Sequence, residues 1–267
     1  MTEPAAVETV DEVKPCVALM GEFSAGKSTL ANVMFGASPL PVQVIATRLP
    51  PVRISFGTSP AYRLDLNGER HPVDLSDLAD IALDDTQLIQ IFREDDVLTA
   101  CDLIDMPGIS DPNMSAEVWQ RVLPLADAVV WCTHATQAWR QSEAAVWDQI
   151  DDAVRKRSLL LLTRIDMVPD PSDRQRLLRR VEAAVGDHIQ ACLPIALLMA
   201  QSAGDDMEKW KASGADAFAQ AFIGMVERTK VEKSGGVFTP ADPAIAEPPP
   251  EPAEKVIPRR VRAYGRS

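Results

Sequence analysis

Cysteine is scarce in this 267-residue sequence: Cys16, Cys101, Cys132 and Cys192 lie far apart, with no Cys-x-x-Cys pair. That excludes a disulfide framework and any metal cluster built on paired thiols. Each sits in or beside an apolar run, as small buried residues of a reducing compartment do. Positive charge is also in deficit. Lys and Arg number 27 against 39 Asp and Glu, a formal net charge of −12. A nucleic-acid-binding surface carries the opposite sign, so no nucleic-acid partner is expected. Long hydrophobic runs are missing. The longest, around 159–162 and 192–200, fall short of the roughly 20 residues that span a bilayer. Any membrane contact is therefore expected to be peripheral. The opening Met1-Thr2-Glu3-Pro4 is acidic, unlike a secretory leader. His71 and His188 stand alone without metal-ligand spacing, and are expected to be solvated or structural.

What remains is a chain with 46% apolar residues, enough for one large, well-buried α/β domain. Residues 1–12 are acidic and expected to be disordered. Residues 13–231 alternate strand-like and helix-like stretches, the mark of a doubly wound, mostly parallel sheet with helices on both faces. Strands are expected at 16–20, 52–56, 62–66, 70–73, 86–93, 101–105, 128–132, 158–163 and 194–199, with Asn67-Gly68 as a hairpin turn. A helix is expected at 27–35. Another should begin at Asp170-Pro171, where an N-cap and a first-turn proline precede the stripe Leu177, Leu178, Val181, Val185. The last helix carries Ala215, Phe218, Phe222, Met225 and Val226 on one face, a core-packing pattern. Residues 232–267 hold a proline cluster and then a basic end, and read as a disordered tail.

The chemistry is concentrated in Gly21-Glu22-Phe23-Ser24-Ala25-Gly26-Lys27-Ser28, a full match to the phosphate-loop pattern G-x-x-x-x-G-K-[ST] at a strand-to-helix junction. Backbone amides of such a loop and the following helix N-terminus converge where an anion is favoured. Lys27 would reach the β- and γ-phosphates, and Ser28 would place its hydroxyl on Mg²⁺. Further along, Asp105-Met106-Pro107-Gly108 follows an expected strand. An aspartate there can hold Mg²⁺ through water, and the Gly108 amide can sense the γ-phosphate.

Thr163-Arg164-Ile165-Asp166 ends the next-to-last parallel strand, where base recognition belongs. One carboxylate can accept both the ring N–H and the exocyclic amine of guanine, whereas adenine offers the wrong groups. Taken alone, Asp166 would more often be a helix cap; its weight comes from position. His134, Gln137 and Trp139 follow a strand on the same side and are candidates for touching the nucleotide or a partner. Trp139 equally suits packing.

With these residues in view, the segment Gly-Glu-Phe-Ser-Ala-Gly-Lys-Ser-Thr-Leu at 21–30 resembles the phosphate loop of bacterial dynamin-like proteins. Leu40-Pro41 and Ile45-Ala46-Thr47-Arg48 resemble the dynamin switch I, which implies Thr47 as a Mg²⁺-binding and catalytic threonine beside Lys27 and Gly108. Asp105–Gly108 is similar to the switch II motif D-x-P-G, and Thr163–Asp166 to T-K-x-D with arginine in place of lysine. The resemblance, over roughly 15–230, implies a nucleotide site of Gly21, Ser24, Ala25, Gly26, Lys27, Ser28, Thr29, Thr163, Arg164 and Asp166. It implies a metal site of Ser28, Thr47 and Asp105, GTP or GDP as ligand with Mg²⁺, and a monovalent cation (K⁺ or Na⁺) held by Ser24. Phe23 departs from the family, where many dynamins place a glutamine that positions water.

The expected activity is that of a cytoplasmic, stalk-less GTPase working through a homodimer across the nucleotide face. The alternative is a slow nucleotide-dependent switch that recruits a partner such as a stalk-bearing relative. The basic tail, with Lys255, Arg259, Arg260, Arg262 and Arg266, is expected to be solvated or to dock on a protein rather than to bind anionic lipid.

Overall fold

The computed structural model describes residues 14–36, 49–111 and 115–236. The expected switch I segment, with Thr47, residues 1–12 and residues 237–267 lie outside the described residues; the expected tail begins too early at 232, because Glu232 and Lys233 still belong to the last helix. Among the described residues nine strands form one sheet: β1 Cys16–Gly21, β2 Val52–Phe56, β3 Tyr62–Asp65, β4 Arg70–Pro72, β5 Thr86–Arg93, β6 Asp102–Asp105, β7 Ala128–His134, β8 Leu159–Thr163 and β9 Ala191–Ile195. Their spatial order is β4-β3-β5-β2-β6-β1-β7-β8-β9. From β6 through β1, β7 and β8 to β9 all pairings are parallel. Beyond β6 the chain turns back: β2 runs antiparallel to β6 and parallel to β5, and the β3–β4 hairpin finishes the edge antiparallel.

Helices α1 Lys27–Phe35, α2 Asp96–Ala100, α3 Ala116–Gln120, α4 Gln141–Trp147, α5 Asp152–Lys156, α6 Pro171–Val185, α7 Leu197–Gln201, α8 Met207–Ala212 and α9 Ala215–Lys233 complete the fold. Strands buried on both faces should read as continuous apolar runs, and β1, β7 and β8 do. Val17, Leu19, Val130, Leu159 and Leu161 point to one face, where α1 and α9 supply Leu30, Phe218, Phe222 and Met225. Ala18, Met20, Trp131, Leu160 and Leu162 point to the other, against Trp147 of α4 and Val181 and Val185 of α6. The two cores are the two faces of one pleated sheet.

Local signals explain the element boundaries. Asp170 caps α6 by accepting from the amides of Ser172 (2.7 Å) and Asp173 (3.4 Å), with Pro171 in the first turn. In the β3–β4 hairpin, Asp65 accepts from the amides of Asn67 and Glu69, each at 2.9 Å, and pairs with His71 at 3.0 Å. His188 pairs with Asp152 at 2.7 Å, so both lone histidines lie within hydrogen-bond distance of a carboxylate. All four cysteines are free and buried, and burial pushes each thiol up to about 12. No helix among the described residues is long and apolar enough to cross a membrane.

One expectation is corrected. The last strand is Ala191–Ile195, not 194–199, and Leu197–Gln201 is helical. Pro194 pointed to a strand start, yet β9 pairs only with β8, and an edge strand tolerates proline in its interior. The Leu-Leu-Met-Ala run that follows is made of strong helix formers. It buries Leu197 and Ala200, three apart, while Leu198 is 70% exposed. Leu198→Lys should therefore leave stability within about 0.5 kcal/mol of wild type, and Ala200→Asp should cost more than about 2 kcal/mol. Urea unfolding of both variants checks this; a large loss at Leu198 would contradict the helix.

Candidate functional site

The site lies at the carboxyl edge of the parallel strands, where open α/β sheets bind their ligands. β1 ends at Gly21, and the chain passes through residues 22–26 into α1. A Cβ on Gly21 would lie 2.1 Å from the carbonyl oxygen of Cys132, and φ there is +139°, so only glycine lets the loop leave β1 this close to β7. The loop then braces itself. The Ala25 amide donates to the Glu22 carbonyl (3.2 Å), and the Ala25 carbonyl accepts from the Thr163 hydroxyl (2.7 Å). Lys27 is buried, its ammonium donating to the carbonyls of Gly21 (3.0 Å) and Glu22 (2.9 Å). Burial lowers its pKa, with Asp105, Cys132 and Glu22 opposing that shift. The first turn of α1 has no acidic residue and no side-chain cap, which leaves its amides open to an anion.

Asp105 ends β6 opposite this loop. The residue is half-buried, but its Oδ1 is shut off from solvent and has no hydrogen-bond partner among the described residues. Burial pushes its pKa up to about 6, against the pull of the Lys27 charge. A buried carboxylate oxygen without a partner is costly and is relieved by a cation. Ser28 lines the same cavity, as do Ser24, Gly26, Lys27 and Gly108. Two oxygen donors of this kind fit a divalent ion such as Mg²⁺.

The segment after Asp105 lies directly on the phosphate loop. Ile109 donates its amide to the Gly21 carbonyl (3.3 Å), and the Phe23 amide donates to the Ser110 hydroxyl (3.1 Å). A Cβ on Gly108 would come within 2.9 Å of the Phe23 backbone, so a side chain there would push the two segments apart. The Phe23 ring is 50% exposed on the cavity rim.

On the far side, β8 ends at Thr163, whose hydroxyl also lies 3.2 Å from the Thr133 carbonyl. Arg164 adopts a left-handed backbone (φ 54°) and reaches the Ser24 carbonyl with Nη2 at 3.4 Å. A short 3-10 turn, Ile165–Met167, buries Ile165 against Ala135 and Ala196 and leaves Asp166 exposed. The β9–α7 junction joins them: Leu197 Cδ1 lies 3.0 Å from where a Cβ on Gly26 would sit.

The expected residues Ser24, Gly26, Lys27, Ser28, Thr29, Asp105, Gly108 and Arg164 line one cavity. Gly21, Ala25 and Thr163 form its frame; Asp166 is not among the lining residues, and Thr47 lies outside the described residues. Trp139 is a packing residue, edge-on to Trp131 (6.1 Å between centroids) and Trp147 (5.8 Å). His134 and Gln137 line a second recess with Glu22, Phe23 and Arg140. Sequence reasoning missed a polar chain behind the loop. Glu143 is buried and accepts from Trp131 Nε1 (3.0 Å), Thr133 Oγ1 (2.9 Å) and the Arg140 amide (3.0 Å). Its signal was an acid at the third position of α4, the spacing of a capping box.

Asp105 yields a sign-definite prediction. Its folded pKa is raised, so its contribution to stability is present below the ordinary carboxylate range and lost as pH rises through about 6. With a chelator present at neutral pH, Asp105→Asn should raise the melting temperature by about 2–6 °C. The gain should vanish in acid, below the carboxylate range. A variant that melts lower at neutral pH would mean that attraction to Lys27 outweighs burial.

Residues 17–165 match the model of the dynamin family. Two solved structures of an oligomerised bacterial dynamin pair, described as sensing and tethering membranes at long range, share the fold. The TM-scores are 0.64 and 0.62 at 17% identity, covering 85% and 84% of this chain. This chain spans only 39% and 40% of theirs. No curated protein matches the sequence. With more than half its length matched, the chain belongs to the dynamin family.

Proposed function

We propose that this chain binds GTP and GDP with Mg²⁺ and hydrolyses GTP by in-line attack of water. The observation that carries the reading is the pairing, at one cavity, of buried Lys27 with a partnerless oxygen of Asp105. Lys27 now bonds two neutral carbonyls; charged phosphate oxygens are stronger acceptors, so its ammonium would transfer to the β- and γ-phosphates. Loop amides and the uncapped first turn of α1 would take the remaining phosphate oxygens. Ser28 and Asp105, with Thr47, would hold Mg²⁺, which supplies neutralisation of charge on the β- and γ-oxygens. Gly108 would report the γ-phosphate through its amide, and Ser24 would hold K⁺ or Na⁺. Asp166 would accept both guanine donors while Arg164 lies over the base.

The second reading rests on Phe23. Its exposed ring offers no polar atom to position water, which favours a slow switch that recruits a partner. In either reading, a second copy or a stalk-bearing relative would meet the nucleotide face in the cytoplasm. Membrane contact would be peripheral and through that partner.

GTP turnover measured against protein concentration separates the readings. Specific activity that rises with concentration supports a dimer-stimulated enzyme, and slow, constant activity supports the switch. Lys27→Ala should lower kcat at least about a hundredfold, and full activity in that variant would refute the assignment. Asp166→Ala should lose most of the preference for guanine over adenine nucleotides, which competition binding measures.

A further inference from the structure

The phosphate loop carries an acid where phosphate is to bind. Glu22 follows Gly21 directly, and its carbonyl already accepts from Lys27. A carboxylate this close to a polyphosphate would repel it. In the structure both its oxygens are engaged from one side. Oε2 lies 2.8 Å from Arg140 Nη1, and Oε1 accepts from the Ser142 hydroxyl at 2.6 Å. The carboxylate side chain is only 13% exposed and is absent from the lining of the phosphate cavity; it faces the second recess instead.

Arg140 is itself held in place. Its amide donates to buried Glu143, which is locked by Trp131 and Thr133. The neighbouring Trp139 has a left-handed backbone (φ 59°) and donates its amide to the Thr133 hydroxyl at 3.1 Å. A non-glycine residue in that conformation persists only where surrounding bonds over-determine it. An ordinary surface ion pair contributes little, because both partners are hydrated and mobile. Here the guanidinium is 46% exposed, but the acid is nearly enclosed and the backbone beneath the arginine is fixed from the core.

We propose that Arg140 is a positioning residue for nucleotide binding: it neutralises Glu22 and holds that residue's side chain out of the phosphate cavity. The charge balance of the phosphate loop is then set from the start of α4. Without Arg140, Glu22 keeps only the Ser142 hydroxyl and loses the cation on its carboxylate, one residue from the cavity wall. Its repulsion grows with the charge of the ligand, so GTP suffers more than GDP, and salt reduces the difference.

This inference rests on the nucleotide reading above, and titration of the full chain with fluorescent GDP and a non-hydrolysable GTP analogue tests both. Arg140→Gln should weaken binding of the GTP analogue about tenfold and of GDP less. Arg140→Lys, which keeps the charge, should stay within about threefold of wild type. The decisive variant is Glu22→Gln/Arg140→Gln, which lacks both charges and should recover to within about threefold of wild type. A merely structural arginine would give no such rescue. Thermal melts identify any variant that fails to fold, and the lysine variant then carries the test alone. Wild-type affinity in Arg140→Gln, a tenfold loss in Arg140→Lys, or a double variant as weak as Arg140→Gln would each overturn the proposal. A wild type that binds no guanine nucleotide would instead overturn the functional reading beneath it.

Discussion

The hydroxyl of Thr163 ties together the ends of the three central elements. Buried at the end of β8, it lies within bonding distance of the Ala25 carbonyl in the phosphate loop and the Thr133 carbonyl on β7. The strand that ends in the base motif is therefore locked in register with the loop that precedes α1. The proposed site, with phosphates at one end and a base at the other, would need that fixed distance more than any single contact. Glycine supplies the complementary constraint at position 21, where β1 leaves the sheet against the Cys132 carbonyl.

Charge is arranged around this frame in a consistent way. Lys27 and Asp105 are of opposite sign and bury their reactive atoms on the same cavity, each shifted by burial toward its neutral form. Such an arrangement costs stability, and the proposed polyphosphate and cation, entering together, would relieve it. Glu22 is the exception in sign, and it is turned away from the cavity and paired with Arg140. The acidic character of the chain as a whole is thus compatible with the proposed phosphate site, because Glu22 is paired with Arg140 and Asp105 would face the proposed cation.

Much of this was legible in the sequence. Apolar runs located β1, β7 and β8 because strands buried on both faces have nothing to alternate with, and the phosphate-loop pattern is long enough to be specific. The Asp170-Pro171 cap placed the start of α6 because capping is a local interaction. The end of the sheet was not legible: whether the run after Pro194 becomes strand or helix depends on β9 being an edge, a fact of topology. Nor was the support behind the loop. Glu143 holds nearby residues of β7 and α4, but Arg140 acts on Glu22, 118 positions away in sequence, and only the fold brings the two together.

The most direct test of the account is a crystal structure of the protein with Mg²⁺ and a non-hydrolysable GTP analogue. The account predicts phosphates cradled between Gly21 and Ser28, with the Lys27 ammonium moved from the Gly21 and Glu22 carbonyls onto the β- and γ-oxygens. It also predicts the Asp166 carboxylate on the guanine N1 and exocyclic amine. A nucleotide bound with Lys27 still on the two carbonyls, or with Asp166 free of the base, would contradict it.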